Sequence, residues 1–366
     1  MNRREWIMGS ALLPAVGGEV SAGPPKNIVI SSSNGLRACT RAMEYLRAGK
    51  DTLDAVVSGV NINEEDPEDS TVGYGGLPNE EGVVELDASV MHGPTRRCGS
   101  VGALRNIKTA SRVAKAVMEQ SDHIMLVGDG ALRFARACGF EEHDLLTEKS
   151  RLAWMVWKQS LRDPTGHSNW GPGLGAPPKK AGAWLRERFP KADEETLAWA
   201  WRVAMRPPTG TINCMALNSR GEMSGVTTTS GLAWKIPGRV GDSPLLGAGL
   251  WIDQDVGGGG STGRGEENIR VAGAHTVVEN MRHGMSAREA CLDALKRVVR
   301  NFNGDRSLLA QFDLNFYALR KDGDYASACL WNVVQQRGAW VSRQFAVNDG
   351  ATSRLETCAY LLERKP

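Results

Sequence analysis

The sequence GTINCMALNSRGEMSGVTTTS, at residues 210–230, is the stretch that indicates the fold most clearly. Two strand-like runs, the largely apolar Thr211–Leu217 and the Thr-rich Glu222–Ser230, flank the turn-forming residues Asn218–Gly221. Two such runs on both sides of an Asn- and Gly-containing turn are typical of a β-hairpin. We therefore predict two adjacent antiparallel strands at this point of the chain.

On both sides of this hairpin, short apolar strands are mixed with stretches of helical spacing. A strand is predicted at 27–31 (NIVIS), and apolar residues at three- and four-residue intervals predict a helix between 35 and 48 that ends at Gly49. The further predicted elements, in chain order, are helix 51–60, strand 83–89, helix 109–119, strand 124–127, helices 131–138, 193–203, 267–282 and 286–301, and a closing meander of strands 312–319, 325–332 and 340–344. This mixture indicates an α/β or layered α+β protein.

Composition and charge exclude several classes of protein. The 366 residues include 44 Lys and Arg against 42 Asp and Glu, which gives a formal net charge of +2. This balance provides no electrostatic surface for nucleic acid, and no basic stretch is long enough to bind a membrane surface. A hydrophobic content of 41% with 23% charged residues fits a globular protein and excludes a multi-span membrane protein. We expect neither a nucleic-acid nor a membrane partner.

The cysteines and histidines show no metal-binding pattern. The cysteines occur singly, without a C-x-x-C pair and without a histidine at the spacing of a zinc ligand, at Cys39, Cys98, Cys138, Cys214, Cys291, Cys329 and Cys358. Because their number is odd, they cannot all pair within the chain. We expect no metal site and mostly buried free thiols, with the formation of any disulfide left open.

Two segments differ in composition from the rest of the chain. Residues 1–22 have the features of a twin-arginine-like export signal, in which Arg3-Arg4 precedes the apolar stretch Ile7–Val16. We therefore expect a periplasmic or secreted protein, and cell fractionation would distinguish this from a cytoplasmic protein that begins with two arginines by chance. Residues 163–180 (DPTGHSNWGPGLGAPPKK) are rich in Gly and Pro and predict a mobile linker.

Residues 259–263 (GGSTG) match the G-x-S-x-G pattern of a serine hydrolase, with Ser261 as the nucleophile. The nucleophile of such enzymes follows a buried apolar strand, whereas Ser261 follows the polar and Gly-rich residues 253–258 (DQDVGG). A Ser/His/Asp triad therefore finds no support in this stretch.

A set of ordered blocks carries a more specific signal. In the second half of the chain these blocks are Gly210–Ile212 (GTI), Thr227–Gly231 (TTTSG), Lys235–Pro244 (KIPGRVGDSP) and Ser261–Gly265 (STGRG), and in the first half they are Val72–Pro78 (VGYGGLP), Glu85–Ser89 (ELDAS) and Leu126–Leu132 (LVGDGAL). They resemble the glycosylasparaginase (aspartylglucosaminidase) family of N-terminal-nucleophile hydrolases, of the asparaginase type 2 group. This resemblance covers nearly the whole chain after the signal.

The resemblance implies an α+β fold, the αββα four-layer sandwich of the N-terminal-nucleophile hydrolases. It also implies that one precursor cuts itself between Gly210 and Thr211 into an α-chain, residues 23–210, and a β-chain, residues 211–366, which remain one domain. The processed chains are expected to form a dimer of heterodimers. No cofactor is implied.

The resemblance also assigns roles around the nucleophile. Thr211 becomes the new N-terminus, and its free α-amine, with a reference pKa near 7.7–8.0, takes the proton of the Thr211 hydroxyl. Thr229 orients and polarises that nucleophile. Arg239 binds the α-carboxylate of the substrate and Asp242 binds its α-ammonium group.

By the same resemblance, the Thr262 hydroxyl and the Gly263 N–H bind substrate and form the oxyanion hole. In three places the sequence departs from the family pattern. Ser31–Gly35 stands where a Trp usually packs against the substrate, and His92-Gly93 stands where Asp-Gly is common. Gly210 stands where the family often has Asp. We expect Gly210 to adopt strained dihedrals that expose its carbonyl, with self-cleavage that is slow without the carboxylate.

These observations predict hydrolysis of a β-amide of L-aspartate. The leading small-molecule substrate is N4-(β-N-acetylglucosaminyl)-L-asparagine, which yields aspartate and a glycosylamine. An alternative of the same fold is a β-aspartyl peptidase or L-asparaginase. An alternative of another class is a non-catalytic exported amino-acid-binding protein that uses Arg239 and Asp242 but is never cut.

Overall fold

Two β-sheets that pack against each other form the centre of the computed structural model, which describes residues 26–161, 184–336 and 339–364. The strands are β1 (Ile28–Ser32), β2 (Leu86–His92), β3 (Arg97–Leu104), β4 (Met125–Val127), β5 (Ile212–Leu217), β6 (Met223–Thr229), β7 (Leu250–Asp253), β8 (Gly257–Gly263), β9 (Leu314–Arg320), β10 (Tyr325–Trp331), β11 (Val333–Gln336), β12 (Ala339–Ser342), β13 (Gln344–Asn348), β14 (Arg354–Thr357) and β15 (Ala359–Leu362).

The described helices are α1 (Leu36–Arg47), α2 (Thr52–Glu64), α3 (Ala110–Gln120), α4 (Gly128–Ala137), α5 (Glu148–Ser160), α6 (Trp184–Arg188), α7 (Glu194–Met205), α8 (Gly265–Ile269), α9 (Gly273–Arg282), α10 (Ala287–Asn301) and α11 (Arg306–Leu309). None of them is long and apolar enough to cross a membrane. Together with the strands, these helices make the fold class mixed α+β. The predicted export signal (1–22) and linker (163–180) lie outside the described residues.

The predicted hairpin is confirmed and lies at the centre of the larger sheet. That sheet has eight strands in the order β14-β13-β1-β5-β6-β2-β3-β4. Strand β5 pairs antiparallel with β6, with Ile212 opposite Thr228 and Leu217 opposite Met223. Every residue of both strands is buried, so the hairpin is part of the core along its whole length.

Helices cover the outer faces of the two sheets. Helices α1, α2 and α3 bury their apolar side chains against the larger sheet, and α9 and α10 do so against the smaller sheet, whose order is β15-β10-β9-β8-β7. Between the sheets, Met215 and Leu217 of the larger sheet share an apolar cluster with Tyr317 and Leu319 of the smaller sheet. Burial of this apolar surface is the main force that holds the layers together.

The single helix predicted at 267–282 is wrong, because the chain forms two helices there. Helix α8 ends at Ile269 and α9 begins at Gly273. Ala272 between them has a φ of 45°, which a continuous right-handed helix does not allow. The side chain of Asn268 accepts a hydrogen bond from the Gly273 N–H at 3.1 Å and so stabilises the new helix start.

The closing meander is confirmed only for its first two strands, β9 and β10, which pair antiparallel. The third predicted strand, 340–344, is wrong because the chain divides there between two sheets. Strand β12 forms a separate two-stranded sheet with β11, whereas β13 joins the larger sheet beside β1. Phe345 and Val347 of β13 are buried between the two large sheets, so the burial of apolar residues outweighs local pairing.

Strand β8 consists largely of glycine, and no strand is predicted there from the sequence. A Cβ on Gly259 would lie 2.6 Å from the carbonyl oxygen of Ala274 in α9, and a Cβ on Gly260 would lie 2.2 Å from the Asn213 amide nitrogen in β5. The glycines therefore allow a helix on one side and the larger sheet on the other to approach the strand closely. Glycine has a low intrinsic β propensity, and its role here is visible only in the packing.

The cysteines agree with the expectation of free thiols. All seven are unpaired in the structure, and five of them are buried. Burial raises the pKa of Cys214 to about 12, so this thiol stays protonated and packs as a small apolar group.

The packing of β8 predicts the effect of a single methyl group. Gly259→Ala should lower the free energy of unfolding by about 1–3 kcal/mol, because the new Cβ meets the backbone of α9. Gly130→Ala is the matched control, since a Cβ on Gly130 in α4 meets no atom within 4 Å. Urea unfolding of both variants provides the measurement, and equal stability of the two would contradict this account of β8.

Candidate active site

The pairing of β5 with β6 brings Thr211 and Thr229 together. Ile212 lies opposite Thr228, so the residue before β5 lies beside the last residue of β6. The Thr211 hydroxyl donates a hydrogen bond to the Thr229 hydroxyl at 3.2 Å. Both side chains are buried, with 8% and 3% of their residue surfaces exposed. The sequence-predicted nucleophile and its orienting residue are therefore direct neighbours.

Thr229 also contacts the peptide bond that precedes Thr211. Its hydroxyl donates to the carbonyl oxygen of Gly210 at 3.0 Å and accepts a hydrogen bond from the Gly231 N–H at 3.0 Å. A donor on a carbonyl oxygen withdraws electron density from the carbonyl carbon and makes it more susceptible to nucleophilic attack. One side chain thus connects the Thr211 hydroxyl to the carbonyl of the preceding residue, Gly210.

Thr71 is a site residue that sequence analysis missed. A Cβ on Gly210 would lie only 2.2 Å from the Thr71 Oγ1 and 2.4 Å from the Thr71 Cβ. The Thr71 hydroxyl donates to Asp69 Oδ1 at 2.6 Å, and the Thr71 carbonyl accepts from the Ser230 N–H at 2.9 Å. These bonds hold Thr71 against the Gly210–Thr211 peptide. Its one sequence signal is its place directly before the Val72–Pro78 block.

The same contact explains the glycine at position 210. Gly210 is not among the residues with a positive φ, so a left-handed backbone conformation does not account for the glycine. Gly210 is required instead because Thr71 occupies the space of a side chain.

The loop that contains Arg239 and Asp242 is held in place by alternate residues at the start of β2. Glu85 accepts a hydrogen bond from the Gly238 N–H at 3.1 Å, and Asp87 accepts one from the Gly241 N–H at 3.2 Å. Ser89 donates to the Ser243 carbonyl at 2.6 Å. The block Glu85–Ser89 therefore fixes the backbone on both sides of the two predicted substrate-binding residues.

Arg239 forms a two-point ion pair with Glu266. Its Nε and Nη2 donate to Glu266 Oε1 at 3.0 and 2.8 Å, and only 18% of the Arg239 side chain is exposed. Burial raises the pKa of Glu266, but the charges of Arg239 and Arg264 outweigh this and hold its pKa below the ordinary value. Glu266 therefore remains ionised and fixes the plane of the guanidinium group.

Asp242 is buried and accepts hydrogen bonds from two side chains. Its Oδ2 accepts hydrogen bonds from Ser261 Oγ at 2.6 Å and from the Asn268 side-chain amide at 2.7 Å. Burial raises the pKa of Asp242, and these hydrogen bonds oppose the shift. Ser261 is completely buried in β8 with its hydroxyl directed to Asp242, which argues against the serine-hydrolase alternative.

These groups line one small cavity. Its volume is about 10 Å³, which is room for about one water molecule. The residues that line it are Thr209, Gly210, Thr211, Thr229, Gly231, Leu232, Arg239, Gly241, Asp242, Ser243 and Gly263. The predicted Thr211, Thr229, Arg239, Asp242 and Gly263 are thus brought together, and residues 209–210 of the uncut chain occupy one wall.

Thr262 is the predicted site residue that does not line the cavity. It precedes Gly263, which does and which has a φ of 117° that favours glycine. The Thr262 hydroxyl lies 2.8 Å from the Tyr317 hydroxyl and accepts a hydrogen bond from the Asn315 side-chain amide at 3.2 Å.

The segment Ser31–Gly35, at which the resemblance implies a missing Trp, also lies beside Thr211. Ser32 Oγ contacts the Thr211 carbonyl oxygen at 3.3 Å and donates to Asn34 Oδ1 at 2.6 Å. Ser32 is therefore a polar neighbour of Thr211 in this part of the site, and Asn34 holds Ser32 in turn. Among the described residues, no group of three or more His, Cys, Asp or Glu side chains is arranged to hold a metal ion.

Comparison with a family model and with known proteins shows that this chain is similar to asparaginases. A family model described as asparaginase matches residues 11–327. The N4-(β-N-acetylglucosaminyl)-L-asparaginase of Elizabethkingia miricola is 38% identical over 92% of this chain and 86% of its own length, and the enzyme of that name from Mus musculus is 32% identical over 88% and 86%. A probable isoaspartyl peptidase/L-asparaginase of Arabidopsis thaliana is 33% identical over 87% of this chain and 89% of its own length.

The ion pair of Arg239 predicts the effect of a charge-conserving substitution. Arg239→Lys removes the planar two-point donor and should lower kcat/KM for a β-amide of L-aspartate roughly 10- to 100-fold, since a hydrogen bond to a charged group contributes about 1.5–3 kcal/mol. Arg264→Lys is the matched control, because Arg264 contacts the same Glu266 but does not line the cavity. Steady-state kinetics measure both, and wild-type turnover by Arg239→Lys would refute the role of Arg239.

Proposed function

The chain belongs to the asparaginase family, and from that premise we propose that it hydrolyses the β-amide bond of N4-(β-N-acetylglucosaminyl)-L-asparagine to aspartate and a glycosylamine. The observation that carries the proposal is the contact of the Thr211 and Thr229 hydroxyls at 3.2 Å in the cavity that Arg239 and Asp242 also line. A nucleophile and the binding groups for both charges of an amino acid are therefore within one site.

The aspartate part of the substrate fits the two charged residues. In the described part of the chain, Glu266 accepts hydrogen bonds from the Nε–H of Arg239 and from one N–H of its Nη2. The second N–H of Nη2 and both N–H groups of Nη1 then remain to bind a ligand. This free edge suits the two oxygens of an α-carboxylate. Asp242 would bind the α-ammonium group, whose positive charge favours the ionised carboxylate against the effect of burial.

Hydrolysis would proceed through a covalent intermediate. The Thr211 hydroxyl attacks the side-chain amide carbon, its proton passes to the Thr211 α-amine, and the leaving amine departs with a proton. Water then attacks the resulting ester, releases aspartate and restores the hydroxyl. The Gly263 N–H and the Thr262 hydroxyl would stabilise the negative oxygen that forms in each step.

The α-amine of Thr211 becomes free only if the chain is cut before it. We propose that the Thr211 hydroxyl attacks the Gly210 carbonyl carbon, the acyl group moves from nitrogen to oxygen, and water hydrolyses the ester. The hydrogen bond from Thr229 to the Gly210 oxygen supports this step, because it would stabilise charge on that oxygen. Removal of residues 209–210 from the cavity wall would also provide room for a substrate.

The proposal also includes the layer arrangement, the subunit assembly and the export that the family resemblance implies. The helix and sheet layers are consistent with the αββα arrangement of N-terminal-nucleophile hydrolases. We propose in addition that the two chains from one precursor form a dimer of heterodimers, and that the twin-arginine-like residues 1–22 direct the protein to the periplasm or outside the cell.

The second candidate is a β-aspartyl peptidase or L-asparaginase. The relative from Arabidopsis thaliana has that printed name, and Arg239 and Asp242 would bind the aspartate part of its substrates in the same way. The two candidates differ only in the leaving group. An amino-acid-binding protein without catalysis is disfavoured, because binding alone requires neither the Thr211–Thr229 contact nor the donor on Gly210.

Turnover of three substrates side by side tests the proposal. We expect kcat/KM for N4-(β-N-acetylglucosaminyl)-L-asparagine to exceed the values for a β-aspartyl dipeptide and for L-asparagine. Release of aspartate, measured for all three with the same preparation, provides the comparison. Faster turnover of the dipeptide would establish the second candidate, and no turnover of any of them would refute both.

Self-cleavage predicts two defined products. Intact-mass measurement should find a β-chain of 156 residues (211–366) and, if the signal is removed after residue 22, an α-chain of 188 residues (23–210). Thr211→Ala should abolish cleavage and hydrolysis together, because one hydroxyl serves both, and Thr211→Ser should retain part of each. Ser261→Ala is the control that still cleaves, since Ser261 contacts Asp242 and not the Gly210 peptide. A fully active enzyme that remains a single uncut chain would overturn the mechanism.

A further inference from the structure

Thr262 is part of a buried polar cluster with Asn315 and Tyr317. Strands β8 and β9 pair antiparallel, with Thr262 opposite Asn315 and Gly260 opposite Tyr317, so the three side chains lie on the same face of the sheet. The Asn315 amide nitrogen lies 3.2 Å and the Tyr317 hydroxyl oxygen 2.8 Å from Thr262 Oγ1. The only residue of the proposed oxyanion hole with a side-chain donor is therefore held by two neighbours outside the cavity.

At 2.8 Å either the Thr262 or the Tyr317 hydroxyl could donate, and the burial of Tyr317 favours the tyrosine as the donor. Tyr317 is only 2% exposed, and a buried O–H requires an acceptor. Within the described part of the chain, the acceptor that it contacts is Thr262 Oγ1. Burial raises the pKa of Tyr317, so the phenol keeps its proton and remains a donor. Asn315 is the second donor, through its amide nitrogen.

Two incoming donors determine what the Thr262 hydroxyl itself can do. A hydroxyl has one proton and two acceptor lone pairs. When Asn315 and Tyr317 occupy both lone pairs, the proton of Thr262 cannot be directed to either of them. It remains available for a third group, which suits a donor to a negative oxygen in the cavity that the next residue, Gly263, lines.

We propose that Tyr317 and Asn315 are positioning residues that make Thr262 an obligate hydrogen-bond donor in the oxyanion hole. The inference rests on the proposed function, since it requires Thr262 to donate to the reacting oxygen. It adds to that function a prepared donor, because the hydroxyl proton needs no reorientation when negative charge develops.

Tyr317→Phe tests the proposal with the smallest change, because it removes one hydroxyl and keeps the ring. We expect kcat to fall about tenfold, KM to stay within about twofold, and the thermal midpoint and the masses of the two chains to match the wild type. Tyr325→Phe is the matched control, since the Tyr325 hydroxyl contacts Glu356, away from the cavity, and its kcat should be unchanged. A wild-type kcat for Tyr317→Phe would overturn the proposal.

A double-mutant cycle separates positioning from packing. Thr262→Val should lower kcat by about 10²–10³, the usual effect of losing an oxyanion-hole donor. If Tyr317 acts through Thr262, adding Tyr317→Phe to Thr262→Val should cause no further loss, whereas a multiplicative loss would overturn the inference. A wild-type kcat for Thr262→Val would instead refute the role of Thr262 in the proposed function, so the two failures are distinguishable.

Asn315→Asp tests the direction of the second hydrogen bond. A carboxylate would accept the Thr262 proton and remove it from the cavity, so kcat should fall further than in Asn315→Ala. An Asn315→Asp variant as active as Asn315→Ala would contradict the assigned direction. Both variants are compared only when mass measurement shows the same two chains as in the wild type.

Discussion

The antiparallel pairing of β5 with β6 is the constraint on which the site depends. Because the pairs in such a ladder have a fixed register, Ile212 opposite Thr228 places Thr211 beside Thr229 with no further adjustment. A shift by one residue would move every side chain of the strand to the opposite face and separate the two hydroxyls. The complete burial of both strands makes such a shift costly, so the hydrophobic core also maintains the position of Thr211, the proposed nucleophile.

Hydrogen-bond partners on neighbouring elements hold the charged side chains of the site, Arg239 and Asp242, in place. Glu266 in α8 fixes Arg239, while Ser261 in β8 and Asn268 in α8 fix Asp242. Each buried charge thus has an oriented partner within the protein, which lowers the cost of ordering the site for the proposed zwitterionic substrate. The loop between these charges needs no regular structure of its own, because backbone N–H groups on both sides of Arg239 donate to carboxylates at the start of β2.

Sequence reasoning located the parts of the molecule that have a local signature. The hairpin around residues 218–221 and helix α2, capped by Asp51, were found because turns, caps and periodicity involve residues close in sequence. The roles of Arg239 and Asp242 came from a family resemblance, and the structure places both in one cavity with Thr211. Strand β8 was not predicted, because its glycines are explained only by α9 and the larger sheet, which are distant in sequence. Thr71 and Tyr317 were missed for the same reason, since neither has a local pattern.

The contact between Thr71 and Gly210 has a consequence for the evolutionary history of the site. The side chain at position 71 fills the space that a side chain at position 210 would need, so the two positions are sterically exclusive. An ancestor or descendant with an acidic residue at position 210 would first need a smaller or displaced residue at position 71. The order in which such substitutions accumulate is therefore restricted. A lineage with this pair of residues is confined to glycine before its nucleophile until position 71 changes.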